Sequence, residues 1–394
     1  MSEQIGQLPG QQFYCRLKIK GVEIASSNII SLTIREWVLD VLPKIELSIA
    51  DMGGLLEVAT LEDNDEIEVS ISKHSESETQ LNMTFLLSDY SISIISDNRM
   101  LNINIVGYMK VNDMFTTKNR CFNQSSSIDV LKKISTEAGL KFNNPMNVLS
   151  NDKMNWYQCN SNFDFIKHIL KRAYIFNDVM FFYADHSNKF NITSLNKEMD
   201  KKENRISKFD VSQTEFKEDK NDTTIYYNAY DIVNMSGYFN KTNNYGRDVT
   251  YFDSKEMKTI EYNTINKITD LTFMDKNFYK KNVNGIYAGI SDTDNIYSEK
   301  YFESLIRNDY LVKNFFGYSV VIQIDSECDV KLFDKINLVI PSLVSEEFNE
   351  VYSGMYLVGG IIHNVYSNGI YKKMLSLHRN GMNKSEYVKI TRVV

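Results

Sequence analysis

The residues that could do chemistry are few. Five histidines, His74, His168, His186, His363 and His378, come first, since imidazole serves both as general base and as metal ligand. None stands at metal-ligand spacing from another. The sequence contains no H-E-x-x-H, no phosphate-binding G-x-x-x-x-G-K-[ST], no G-x-G-x-x-G after a strand and no G-x-S-x-G. His168 falls on the polar side of a helix, His186 in a turn and His363 at the turn-ward half of a strand. Those places suit structural or solvated imidazoles. The carboxylates of Asp63-Asn64-Asp65-Glu66 and of Asp292-Thr293-Asp294 could attract a hard cation. Neither run has the ligand count of a calcium loop, and each reads as a hairpin turn. A cell-wall hydrolase would need a positioned carboxylate pair, and no pair is singled out. Cys15, Cys121, Cys159 and Cys328 lie far apart without a C-x-x-C, as expected of buried small hydrophobes. Trp156 and Phe181 to Tyr183 could stack on a sugar, but their strand and helix spacing makes them core. No catalytic, cofactor-binding or metal-binding residue is therefore expected, no cofactor is expected, and the chain does not read as an enzyme.

The elements that would position any site are clearest between Met154 and Thr193. A short aromatic strand leads to a helix that Ser161 or Asn162 can cap, because a short polar side chain satisfies the free N–H groups of a first turn. Phe163, Ile166, Ile169, Leu170 and Ala173 share one face of that helix. A hairpin follows, Val179 to Tyr183 and Phe190 to Ser194, turning through Asp185-His186-Ser187-Asn188.

The chain has 394 residues, enough for two to four domains, and 43% hydrophobic against 24% charged residues supports ordinary cores. A net charge of −7 argues against nucleic-acid binding as the main task. No apolar run approaches a membrane span of roughly 20 residues. The polar N-terminus lacks the regions of a signal peptide, so synthesis in a cytoplasm without export by the general secretory route is expected.

Strand-like alternation recurs at 13–20, 31–38, 44–50, 66–72, 81–87, 88–95 and 101–108, with 55–61 read as a short helix. One antiparallel β domain, a barrel or sandwich, is expected over residues 1–118. A small α+β domain is expected over 119–200. Its first helix has Ser125, Ser126 or Ser127 as cap, Ile128, Leu131, Ile134 and Ala138 as inner face, and Gly139 as left-handed terminator. Lys197 to Asp222 is densely charged and reads as a solvated connector. Residues 201–236 and 312–394 are assigned to a second β domain, with 237–311 as an insertion. The insertion's clearest element is a helix near Ser298 to Leu311, with Tyr301, Phe302, Leu305, Ile306 and Tyr310 on one side.

The last β block echoes the first. Phe85-Leu86-Leu87 and Tyr356-Leu357-Val358 each lead over eleven residues to a turn, at Ser96 and Ser367. Asp65 to Ile71 resembles Asp334 to Ile340, with 20 residues from Asp65 to Phe85 and 22 from Asp334 to Tyr356. Leu47 to Asp51 matches Ile322 to Asp325 in type. Two copies of one β fold are the expectation, the second interrupted by the insertion.

Several of these residues carry a family resemblance. Trp156-x-Gln158, a polar pair, Phe163-x-Phe165-Ile166 and a helix leading into a hairpin are similar to the middle domain of baseplate hub proteins of contractile phage tails, which are related to the N-terminal hub part of type VI secretion spike proteins. The closing strands, with Gly354, Tyr356, His363 and a final Arg379-x-Gly381, resemble that family too. The resemblance implies an α+β, mainly β fold: two tube-like antiparallel β domains, barrel or sandwich, with the small α+β domain and the insertion between them. It implies a structural baseplate hub, a homotrimer whose six tube-like domains form a pseudo-sixfold ring. Such a ring adapts a hexameric tail tube above to a trimeric central spike below and leaves a channel for DNA or effector passage. The partners implied are the tail tube protein, the central spike protein, and tape measure and baseplate wedge proteins. No specific nucleic-acid binding and no stable membrane insertion are implied. The location implied is the tail baseplate of a virion, assembled in the host bacterial cytoplasm. Without a Gly-rich periodic tail, the spike is expected to be a separate chain. The alternative from another class is a tail-associated protein that binds the host surface or a glycan.

Overall fold

The computed structural model describes residues 13–51, 54, 60–72, 79–95, 100–176, 178–202, 205–209, 224–235, 247–253, 257–263, 285–291, 301–324, 328–342, 348–349, 351–366 and 370–379. The fold is mainly β with a few helices. Its first seven strands are β1 (Tyr14–Ile19), β2 (Val22–Ile24), β3 (Ile29–Trp37), β4 (Lys44–Asp51), β5 (Glu66–Ser72), β6 (Thr79–Ile95) and β7 (Met100–Met109). Their alternation puts Leu32, Ile34, Ile45, Leu47, Ile67, Val69, Phe85 and Ile105 inside a common core. The two strands expected over 81–87 and 88–95 are one strand. A bulge between Leu87 and Asp89 absorbs the extra residue, Ser88, while pairing with β7 continues on both sides. The helix expected over 55–61 falls largely outside the described residues.

The α+β segment comprises β8 (Arg120–Ser125), α1 (Ser127–Glu137), β9 (Lys141–Asn143), β10 (Met154–Gln158), α2 (Asn162–Arg172), β11 (Met180–Ala184), β12 (Lys189–Ser194) and α3 (Leu195–Met199). Both long helices start on serine caps: Ser126 accepts from the Asp129 N–H and Ser161 from the Asp164 N–H. Gly139 ends the first helix at φ +76°. On α2 the buried apolar residues are Phe165, Ile166 and Ile169, whereas Phe163 and Leu170 are half-buried, so the inner stripe is rotated toward Phe165. The expected hairpin forms from β11 and β12, and β9 joins it in parallel.

The remaining elements are β13 (Arg205–Phe209), β14 (Thr224–Asn234), β15 (Arg247–Asp253), β16 (Lys258–Asn263), β17 (Gly285–Ser291), α4 (Tyr301–Phe316), β18 (Tyr318–Ile324), β19 (Lys335–Leu338), β20 (Gly354–Tyr366) and β21 (Tyr371–Arg379). Strands β15, β16 and β17 make a separate three-stranded sheet. Two expectations change here. The charged stretch from Lys197 is not all solvated connector: it supplies α3 and then β13, which is held by β14 and β19. Main-chain pairing wins over side-chain polarity because a narrow strand needs few apolar residues once both edges are bonded. The helix expected near 298–311 runs from Tyr301 to Phe316, and its buried positions include Ser304, Arg307 and Asn308. These cap the end of α2 and the loop after it: Ser304 Oγ donates to the Arg172 carbonyl (2.8 Å) and Asn308 Nδ2 to that of Ala173 (2.7 Å). Arg307 donates to the carbonyls of Ile175 (2.6 Å) and Asp178 (3.0 Å).

Strands β13, β14, β18, β21, β20 and β19 close into a six-stranded barrel, since β19 pairs with both β13 and β20. The first block has the same neighbour order: β1, β5, β6, β7, β4, β3 against β13, β19, β20, β21, β18, β14. Register agrees residue by residue. Ile67 faces Phe85 as Ile336 faces Tyr356, and Leu47 faces Ile105 as Ile322 faces Leu375. The bulge after Leu87 recurs after Val358. Even the turn before β5 recurs before β19. Asn64 and Phe333 sit at φ 67° and 66°. Asp65 accepts from the Glu62 N–H (2.8 Å) as Asp334 accepts from that of Lys331 (2.9 Å). The acidic run at 63–66 is thus a turn. The sixth strand differs: β1 runs antiparallel to β5, whereas β13 runs parallel to β19. The two blocks join in one continuous sheet where β3 pairs with the second half of β20.

Candidate functional site

The β3–β20 seam is where the parts of the molecule converge. Two adjacent glycines on β20 permit it. A Cβ on Gly360 would lie 2.2 Å from the Trp37 ring, and one on Gly359 would lie 2.4 Å from the His378 ring. Without those methyls, Trp37 and His378 meet edge to face at 5.2 Å, with Phe316 of α4 beside both.

One residue back along β3 from Trp37, alternation turns Glu36 inward, where it is 1% exposed. A buried carboxylate needs donors, and it finds them on two other parts of the chain. The His186 N–H donates to Glu36 Oε2 (3.0 Å), and His186 Nδ1 lies 3.1 Å from both carboxylate oxygens. His363 Nε2 on β20 lies 3.4 Å from Oε1, while its Nδ1 is 2.6 Å from the Tyr371 hydroxyl on β21. The consistent arrangement has Tyr371 donating to Nδ1 and Nε2–H donating to Glu36. Burial alone would raise Glu36, but hydrogen bonds and charge from the two histidines reverse this and hold it well below the usual carboxylate range. The Glu36 hydrogen bond pushes His186 up, whereas burial pulls His363 down. Lys373, also lowered by burial, donates to the Cys328 carbonyl (2.7 Å).

These groups line a cavity of about 200 Å³, below the roughly 300 Å³ at which small-molecule pockets begin, while Glu36 and His186 also border a larger cleft of about 670 Å³. The carboxylate is saturated with donors and the lysine is bonded to backbone. The arrangement locks β3, the β11–β12 turn and the barrel together. Among the described residues no group of three His, Cys, Asp or Glu side chains is placed to hold a metal, and no helix is long and apolar enough to cross a membrane.

The motif positions named from the sequence fall in two places. Trp156 is buried on β10, its indole N–H donating to the Ser125 carbonyl (3.0 Å). Gln158 accepts from Arg120 Nε (2.7 Å) and donates to Asn162 Oδ1 (2.9 Å), tying β8, β10 and the start of α2 together. Phe165 stacks on Phe122 at 5.8 Å, and Phe163 packs on Tyr108 and Phe115, joining the segment to the first block. Far from these, Gly354 opens β20 at φ 135°, and buried Tyr356 donates to the Tyr352 carbonyl (2.6 Å) under the Arg379 guanidinium. His363 alone belongs to the seam. Gly381 lies outside the described residues. Trp156, Phe181, Phe182 and Tyr183 are all core. The cysteine expectation is corrected, since Cys121 and Cys159 are exposed and Cys15 and Cys328 half-buried, and none of the four is in a disulfide. Sequence reasoning missed Glu36, although an acidic residue at an inward strand position was the available signal. Arg120, Tyr371 and Lys373 had none.

No protein-family model matches the sequence, and no curated protein matches it. Solved structures do match in shape. The tail protein from Neisseria meningitidis MC58 aligns at TM-score 0.54 and 9% identity, covering 95% of this chain and 99% of that one. The 43 kDa tail protein of prophage MuSo2 from Shewanella oneidensis aligns at TM-score 0.56 and 10% identity, covering 93% and 98%. The E. coli c3393 protein, a component of the type VI secretion system, aligns at 0.43 and 11% over 95% and 79%, too loosely to carry an argument. Over nearly its whole length, this chain has the fold of these two tail proteins.

Proposed function

We propose that the chain is the structural baseplate hub of a contractile tail, acting by assembly rather than turnover. The observation that carries this reading is the repeated six-strand order within one polypeptide. Three such chains about an axis present six similar β units to one side while remaining threefold on the other. A ring of that kind seats a hexameric tube and a trimeric spike without a symmetry clash. The likeness to two tail proteins supports the location. The net charge of −7 suits a channel through which DNA or an acidic effector slides without phosphate contacts. The partners on this reading are two further copies, the tail tube protein, the central spike protein and, at the periphery, tape measure and wedge proteins.

Light scattering of the purified chain across a concentration series tests the reading, followed by imaging of its particles. Trimeric rings with six similar lobes are expected. A stable dimer would count against it, because a twofold interface does not build a threefold ring.

A further inference from the structure

The internal repeat makes a prediction about a strand edge that the described residues leave uncovered. In the second block, the C-terminal half of β20 is bonded on one side to β21 and on the other to β3. In the first block, the C-terminal half of β6 is bonded to β7 alone among the described residues, because β5 reaches only from Thr79 to Leu86. The equivalent of β3 is β14, and among the described residues its second half is bonded on one side only, to β18, the pairing with β13 ending at Tyr227. Among the described residues, the molecule therefore carries both halves of a second seam, each without its counterpart strand.

The side chains say the same. Ile361, His363 and Val365 on β20 are 2%, 5% and 3% exposed. Counting from the shared bulge, their equivalents on β6 are Tyr90, Ile92 and Ile94, which are 39%, 46% and 75% exposed. Such an apolar row on a free strand edge invites pairing. Registers through β4 and β18 make Tyr230 the equivalent of Leu32 and Ile232 that of Ile34. Within the chain, His363 faces Ile34 and Val365 faces Leu32.

We infer that the C-terminal half of β6 pairs antiparallel with the C-terminal half of β14 from a second copy of the chain, with Ile92 opposite Ile232 and Ile94 opposite Tyr230. This rests on the proposal that copies associate in a ring and names the edges that join them. Both pairs place apolar against apolar on the face that the internal seam buries, and such cross-strand pairs stabilise a sheet. Because β6 and β14 sit in different blocks, the contact is head-to-tail and passes from chain to chain until it closes.

The test is disulfide trapping in the full-length chain with Cys15, Cys121, Cys159 and Cys328 changed to serine. Ile92→Cys combined with Ile232→Cys should give, on oxidation, a covalent ladder ending at three chains. Each single variant should give none. Tyr90→Cys with Tyr230→Cys, four residues out of register, should also give none, since Cα atoms more than about 7 Å apart cannot be bridged. Light scattering of the same samples separates the two levels. Trimers without the 92–232 cross-link would overturn the edge assignment and leave the ring intact, pointing to another occupant such as a tube protein. Monomers without a cross-link at every concentration would overturn both.

Discussion

Among the described residues the two β blocks share strand order, bulge and turn, yet one is closed and the other open. The difference lies in the sixth strand. Strand β13 runs parallel between β14 and β19 and completes a barrel, whereas β1 runs antiparallel along β5 and ends in a hairpin with β2. Closure is thus decided by the direction and reach of one peripheral strand rather than by the shared core. Where β20 is covered, its bulge carries Gly359 and Gly360, and its inner face can hold a histidine against a buried glutamate. Where β6 is uncovered, the same positions carry Ser88 and Asp89, and the row beyond is aromatic and aliphatic. A seam made within one chain can use close backbone approach and polar locks; an exposed edge relies on plain apolar pairing.

The sharpest way to break this comparison is at the bulge. Gly360→Val drives a side chain into Trp37 and should cost about 3 kcal/mol or more in urea unfolding. Asp89→Val, at the equivalent exposed position, should stay within about 0.5 kcal/mol. Equal costs would sink the equivalence.

Next, Glu36→Gln removes the charge that holds both histidines and should cost about 2 kcal/mol at pH 7. Its pH dependence has a definite sign. Glu36 is lowered, so its contribution is present above the ordinary carboxylate range and fades as pH falls through its depressed value. His186 is raised, so its contribution is full below about 6.5 and fades as pH rises through its folded value. NMR titration of His186 should show that value fall in Glu36→Gln.

A third measurement uses His378, which burial pulls down to about 3. Its contribution is full above about 6.5 and lost as pH falls, at up to about 1.4 kcal/mol per pH unit. His378→Gln should flatten that limb of a stability–pH curve. The equivalent residue of the first block is Tyr108 rather than a histidine.

The smallest effects should come in a matched pair. Asp65 and Asp334 hold the same turn, and each also faces a cation of the sixth strand's near end, Lys20 at 3.5 Å and Arg205 at 3.4 Å. Asp65→Ala and Asp334→Ala should each cost about 1 kcal/mol. A large cost at one and none at the other would show that the turns only look alike.

Much of the fold was legible locally. Serine caps, a terminating glycine, alternating strands and the 154–193 succession each depend on residues within a few positions of one another. The repeat was legible in type and spacing, and the hydrogen-bonded registers put Phe85 with Tyr356 and Ile67 with Ile336, as the matched segments anticipate. What local pattern misjudged was long-range. β13 is charged but becomes a strand because two distant partners flank it. α4 turns polar side chains inward because the end of α2 offers carbonyls to cap.

The sequence by itself determined the class of structure, the lack of any recognisable catalytic motif and the doubling of one β plan, because periodicity, caps and turn chemistry act over short stretches of chain. The tertiary structure alone decided which edges close. Glu36, His186 and His363 are brought together from positions 150 and more residues apart. Among the described residues one copy of the plan shut into a barrel and the other did not, because a strand's neighbours are chosen by the whole sheet and not by its own residues.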